Sequence, residues 1–467
     1  MNPKHFITYL LFILLVVCLS ACQEKEKDYF TSGFKALEVS ETSALIWTRL
    51  YAQETPNPIR HQRREKVFRH PIDFDEEMPV SQMDGAVAGK EGEVRITLRS
   101  DDDKFESPWL PALADNDFTV NHSFESLKPA TTYTVTLESR TSGTQYEGSF
   151  KTANPADQVV PISFTSTTCQ YFWSFDDSLR GFKSYDVMNS MNLDFFVQTG
   201  DYVYYDKPGP LSKDIVSARH KWHAMDSWLS LVDFHQNTPM YMIKDDHDLL
   251  KDDISDKEAL YGNLSYADGL KIWRENVPLK KEPYRTFRWG KDLQIWLLEG
   301  REFRSNNKEE DGPDKTILGS KQKEWLTSTL QNSDASFKIL FSATPVVGPD
   351  RDKKSDNHAN QVFQTEGDWI RTLISETKNL YVINGDRHWQ YHSIDPGTGV
   401  HEFGSGPISN AHAQGWDPED KRPQHQFLRV NGGFLGVKIY RQDDVPQIVF
   451  THYDVEGNEV YVQSFSH

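Results

Sequence analysis

Phe195 to Asp206 reads FFVQTGDYVYYD, and this stretch decides the fold. The apolar run ending at Gln198 has the length and composition of a buried strand. Gly200 lets the backbone turn, and Asp201 follows it directly. A carboxylate just past a buried strand is where α/β proteins place metal ligands and catalytic groups. Tyr204 comes three residues later, within reach of an ion held by Asp201.

The design recurs. PMYMI (239–243) runs into KDDHD (244–248), and NLYVIN (379–384) runs into GDRH (385–388). An earlier strand, PISFTSTT (161–168), ends on Cys169. Each motif has an ordinary explanation when taken alone, as a packed aromatic, an acidic surface turn or a buried thiol. Four strand ends carrying Cys, Asp/Tyr, Asp/His and Asp/His point to one shared metal site.

The chain of 467 residues is long enough for two or three domains. Its net charge of −18 and the lack of a long basic run exclude nucleic acid as a partner. Bound cations reverse the local field of an acidic site, so an anionic ester remains a compatible substrate. At the N-terminus, Lys4 and His5 precede an apolar run, FITYLLFILLVVCLSA, too short for an ordinary membrane span. It ends in LSAC and resembles a bacterial lipoprotein signal, with residues 1–21 removed and Cys22 acylated. Residues 22–29 read as a polar tether. Gln23 after Cys22 favours the outer membrane, giving a lipid-anchored protein of the cell envelope. Cys169 is then the one free thiol.

Residues 30–153 read as all-β. LEVSETSALIWTRL and EVRITLRS alternate with period two. Leu127, Pro129, Thr131 and Tyr133 resemble the loop-into-strand signature of fibronectin III domains. Trp47 and Tyr133 are expected in the core. The polar stretch from Tyr51 to Gly92 is longer than a sandwich needs and is expected to reach towards the second domain. After a linker at 154–160, strands and helical patterns alternate to the C-terminus, the α/β signal.

Asp201 can bridge two ions through its two oxygens. Tyr204 as phenolate and Cys169 as thiolate suit a strongly Lewis-acidic ion such as Fe(III). Asp246 and Asp386 offer hard oxygens for Ca²⁺, Mg²⁺ or Mn²⁺, and Zn²⁺ is compatible with the mixed set. His388 offers a ring nitrogen, and His247 suits proton transfer.

Cys169, GDYVYYD, DDHD, LGSKQKEWL and GDRH, in that order across residues 161–410, resemble the alkaline phosphatase D (PhoD-like) branch of the calcineurin-like metallophosphoesterases. The resemblance implies a four-layer αββα sandwich at 161–467 behind a small β-sandwich, and a ferric ion with one or more Ca²⁺ ions. It implies Cys169, Asp201 and Tyr204 as ferric-side ligands, Asp246 in the usual asparagine position, His247 beside the substrate, and Asp386 and His388 as the late ligands. Arg301, with Arg304 near it, is expected to contact the anion. LLEGREFR departs from the family pattern by placing Glu299 where an aspartate is usual. The function expected is hydrolysis of phosphate mono- or diesters by a metal-activated water. Two alternatives are a hydrolase of sulfated or phosphorylated cell-surface polysaccharide and a non-catalytic glycan-binding lipoprotein. A monomer is expected.

Overall fold

The computed structural model describes residues 27–66 and 68–467. The signal segment and Cys22 lie outside these. Two sheets pack face to face at the centre. One has nine strands, in the order Glu459–Ser466, Val445–Asp454, Gly433–Gln442, Ile162–Thr167, Phe195–Thr199, Met240–Ile243, Phe34–Leu37, Ser43–Arg49 and Thr119–Glu125. The other has seven, in the order Arg285–Trp289, Leu293–Leu297, Phe337–Ser342, Leu380–Asn384, His401–Gly404, Gln390–Ile394 and His425–Arg429. Phe164, Phe195, Val197 and Ile243 from the first interleave with Ile295, Phe341, Ile383 and Phe403 from the second. These strands read as continuous apolar runs because both of their faces are covered.

Helices close the outer faces. Ile215–Asp226, Leu229–His235 and Tyr266–Asn276 cover the nine-stranded sheet through Trp222, Phe234 and Trp273. Ser320–Gln331 and Gln364–Ser375 cover the seven-stranded sheet through Leu326, Leu330 and Ile370. The expected αββα sandwich is therefore present. The helical segment that follows Asp206 begins only at Ile215, where Asp214 caps the amide of Ser217, and it splits in two. The residues ahead of it form the loop that carries Tyr204 and Asp206.

The N-terminal region forms a β-sandwich, but its two sheets differ in status. Lys104–Glu106, Gly92–Arg99, Thr132–Ser139 and Gln145–Lys151 form a separate sheet, with Leu110–Ala112 paired to Gly92–Arg99. Trp47 and Tyr133 are fully buried, and the Tyr133 hydroxyl accepts the amide of Lys128 at 2.9 Å. The opposite sheet is an extension of the central one: Phe34–Leu37 lies parallel to Met240–Ile243, with Leu37 opposite Met240. Side chains reinforce this seam. Arg285 grips Glu38 with contacts of 2.8 and 2.9 Å, Lys35 pairs with Asp226 at 2.7 Å, and the Trp47 indole donates to the carbonyl of Glu275 at 2.7 Å. The sequence separates the two regions at 154–160, but hydrogen bonding joins them through one sheet. Among the described residues, no helix is long and apolar enough to cross a membrane.

Candidate metal centre

Strands Ile162–Thr167, Phe195–Thr199 and Met240–Ile243 run parallel and side by side, so their C-terminal ends meet at one rim. Leu380–Asn384 of the second sheet ends at the same rim. Gly385 permits the meeting: a Cβ there would lie 2.2 Å from the Thr199 carbonyl oxygen. At the rim, Cys169, Asp201 and Asp386 have φ of 50°, 58° and 62°. Side-chain-bearing residues avoid this left-handed region, at a cost of order 1–3 kcal/mol each. Three such residues on neighbouring strand ends indicate that side-chain direction matters more there than backbone ease.

Asp201 is central. Its Oδ2 lies 3.3 Å from the Cys169 sulfur and accepts from the Tyr204 hydroxyl at 3.1 Å. The Tyr204 oxygen is 3.3 Å from His388 Nε2. Cys169, Asp201 and His388 offer ligand atoms within 4.8 Å of one another, as do Asp201, Asp246 and His247, and as do Asp201, Asp245 and Asp386. Every metal-ligand residue expected from the sequence is thus gathered around Asp201. Asp248 sets the turns, its carboxylate accepting the amides of Asp201 and Asp245 at 2.9 Å and of Val203 at 3.1 Å.

The residues fit cations. Asp201 Oδ1, Asp245 Oδ2 and Asp386 Oδ2 are buried and make no hydrogen bond. Asp386 Oδ2 lies 2.6 Å from an Arg387 nitrogen, an ion-pair contact without hydrogen-bond alignment. Buried acceptors are normally satisfied, and the two orphans on Asp201 and Asp245, with Asp386 beside them, mark a place for a positive charge. Burial and the carboxylates around them push Asp201 and Asp245 well above the ordinary carboxylate range, and burial pushes Asp386 up to about 6. Burial also raises the Cys169 thiol and the Tyr204 phenol, and the charge of Asp201 adds to both. Burial, with His412 and His247 nearby, keeps the His388 ring neutral and its lone pair free.

His247 has the opposite balance. Burial opposes its charge, but Asp206, Asp246 and Asp201 outweigh burial and hold the ring protonated. Its Nδ1 is 2.7 Å from Asp206 Oδ1, and its Nε2 lies 3.5 Å from Asp252, whose side chain is exposed at the mouth.

Arg301 differs from expectation. Its side chain is 1% exposed, its Nε donates to Asp245 Oδ1 at 2.5 Å, and Asp246 lies 3.6 Å away. Held in this way it is engaged with the acids, and its burial separates it from solvent. Arg304 is likewise turned inward, donating to the Asp356 carbonyl at 2.6 Å. Glu299 accepts the amides of Arg301 and Glu302 at 2.6 and 2.9 Å and pairs with Lys244, a structural use of the unexpected residue.

Three residues belong to the site that the sequence reading did not assign. Asp245 adjoins Asp246 and is indistinguishable from it by type. Asp206 is the last residue of the opening motif. His412 is fully buried beside the Cys169 backbone, and its ring centroid is 4.4 Å from that of His388. The long N-terminal loop does reach this place: the Phe68 ring lies 4.9 Å from His412, 5.3 Å from Tyr171, 5.7 Å from Tyr204 and 6.0 Å from His388. Glu76 of the same loop accepts the amides of Gly209 and Leu211 at 2.7 and 2.5 Å.

Comparison with known proteins places this geometry. Residues 164–434 match the model of a family described as PhoD-like phosphatase. Alkaline phosphatase D of Bacillus subtilis (strain 168) is 23% identical over 346 residues, which is 62% of this chain and 57% of that protein. The chain therefore spans little more than half the length of that curated relative. A solved structure of PhoD superposes with a TM-score of 0.70 at 18% identity, covering 94% of this chain and 90% of the other. The purple acid phosphatase PPD1 from yellow lupin (Lupinus luteus) seeds superposes with a TM-score of 0.63 at 10% identity, covering 93% and 74%.

Proposed function

The chain belongs to the PhoD-like phosphatase family, and from that premise we propose that it is a metal-dependent hydrolase of phosphate esters. The observation that carries this reading is the convergence of the Asp201, Asp245 and Asp386 carboxylates, two of their buried oxygens without a partner, on one side with a thiol, a phenol and a neutral imidazole on the other. Cys169, Asp201, Tyr204 and His388 would hold one ion. Asp201, Asp245 and Asp386, with Asp246 beside them, would hold another. The first is Fe(III), because a buried thiol and phenol whose protons are held tightly give them up only to a strong Lewis acid. The second is Ca²⁺, which suits an all-oxygen set. Such cations lower the pKa of a water and neutralise the ester oxygens.

The protein's own groups complete the reaction. Asp206 fixes Nδ1 of His247 and keeps the ring charged, which leaves Nε2 at the mouth to deliver a proton to the departing oxygen. Arg301 holds Asp245 and Asp246 in place. Phe68 and Tyr171 wall the thiol side with apolar surface and limit water there.

The test is removal and return of metal. A chelator and Asp201→Asn should each abolish hydrolysis of an aryl phosphate, and Fe(III) with Ca²⁺ should restore the chelated wild type. A purple absorption band would report phenolate or thiolate bound to iron. Undiminished turnover after complete metal removal would sink the reading. We further propose that Cys22 carries lipid and tethers the enzyme to the cell envelope, a reading supported by the LSAC sequence. Palmitate labelling that survives Cys22→Ala would contradict it.

A further inference from the structure

A fourth group of acids lies beside the centre. Asp246, Asp252 and Asp253 bring carboxylate oxygens within 4.8 Å of one another, and the Asp253 amide donates to Asp246 Oδ2 at 2.5 Å. By residue type this group resembles the Asp201, Asp245 and Asp386 group, an all-oxygen set of the kind that takes Ca²⁺. It differs in one respect. The ammonium of Lys354 is paired with Asp253 Oδ1 and stands 3.9 Å from Asp356 Oδ2. The lysine side chain is 15% exposed.

The loop that carries Lys354 is firmly placed. Asp350 takes hydrogen bonds from the side chains of Asn357 at 2.8 Å, Asn360 at 3.3 Å and Arg387 at 2.7 Å. Arg304 ties down the Asp356 carbonyl, and the Lys354 amide donates to the Arg351 carbonyl at 3.0 Å. Lys354 is therefore delivered to the acids by a pinned segment.

We infer that the Lys354 ammonium is the resident cation of the Asp246, Asp252 and Asp253 group and keeps a further divalent ion from binding there. An ammonium offers three donors to carboxylates, where Ca²⁺ would need six to eight oxygens. Two cations on the same carboxylates repel at a few ångströms. The lysine thus fixes the number of metal ions and leaves a permanent positive charge at the edge of the site that does not dissociate.

This inference rests on the proposed metal centre, and the experiment separates the two. Wild type, Lys354→Met and Lys354→Arg are dialysed against Ca²⁺, and bound metal per chain is counted by elemental analysis, with thermal melting to establish folding. Lys354→Met should bind one more Ca²⁺ equivalent than wild type, and its melting temperature should rise with added Ca²⁺ more than that of wild type. Lys354→Arg should keep the wild-type count. If the methionine variant does not fold, Lys354→Gln carries the same comparison. An unchanged count in the neutral variant overturns the inference while leaving the main centre intact. A wild type that binds no metal overturns both.

Discussion

Replacing Asp206 by Asn tests the proton-transfer arm of the mechanism. The amide keeps the size and planarity of the carboxylate and can still accept from His247 Nδ1, now at 2.7 Å. What is lost is the negative charge that favours the imidazolium. Hydrogen bonds involving a charged group contribute about 1.5–3 kcal/mol, roughly twice a neutral one. That difference, about 0.75–1.5 kcal/mol, is taken from the imidazolium, so at a pH above the ring pKa of the variant the protonated fraction, and kcat with it, should fall about 3- to 12-fold, at about 1.4 kcal/mol per decade. The loss should depend on the leaving group. An alkyl phosphate, whose departing alkoxide needs a proton, should show the full effect. A nitrophenyl phosphate, whose phenolate departs unaided, should lose less. The assay is steady-state hydrolysis of both esters by wild type and variant, with bound metal measured to show that the centre is intact. An equal loss on both esters with unchanged metal would refute the assignment of His247 as proton donor.

Three further outcomes are expected. Glu366 accepts the Ile317 amide at 2.5 Å, lies 3.0 Å from His358 Nε2 and is bonded by the Thr316 hydroxyl; burial opposes its charge, but these partners prevail and lower it from 4.5 to about 2. Its contribution to stability, at most about 3 kcal/mol, is present above pH 4.5 and lost as pH falls towards 2; Glu366→Gln should flatten the melting-temperature profile in that window, and an unchanged profile would disprove the link. Phe68→Ala removes ring contacts to Tyr171, Tyr204, His388 and His412 that contribute about 0.5–1.5 kcal/mol, so the unfolding free energy from denaturant titration should fall by about that amount or more, and an unchanged midpoint would refute the packing role. His412→Ala should lower kcat or metal content, since its ring lies against His388, 4.4 Å between centroids, and beside the Cys169 backbone; wild-type values for both would assign the ring to packing alone.

Much of the centre was legible because buried parallel strands advertise themselves as apolar runs, and the residue after each run is placed by topology. Cys169, Asp201, Tyr204, Asp386 and His388 all follow from that rule. Asp245 did not, because two adjacent aspartates are chemically identical in sequence and only the turn pinned by Asp248 decides which way each points. His412 ends a short helical turn, Asn410–His412, eight residues past the strand His401–Gly404, too far from a strand end for that rule to mark it. Arg301 carries the right charge for an anion contact, but its burial against Asp245 is a tertiary fact. The joining of Phe34–Leu37 to Met240–Ile243 was equally hidden, since strand pairing between segments far apart in the chain leaves no trace in either one.

That pairing constrains how the molecule is made. On the ribosome, Phe34–Leu37 emerges long before Met240–Ile243, so its outer edge stays without a partner while roughly half of the polypeptide is still to be synthesised. Unpaired strand edges invite misassociation. The front of the protein must therefore wait, or be guarded, until the segment carrying the DDHD acids arrives, and the metal-binding rim stays open longer still, since Asp386 and His388 come only after Leu380–Asn384.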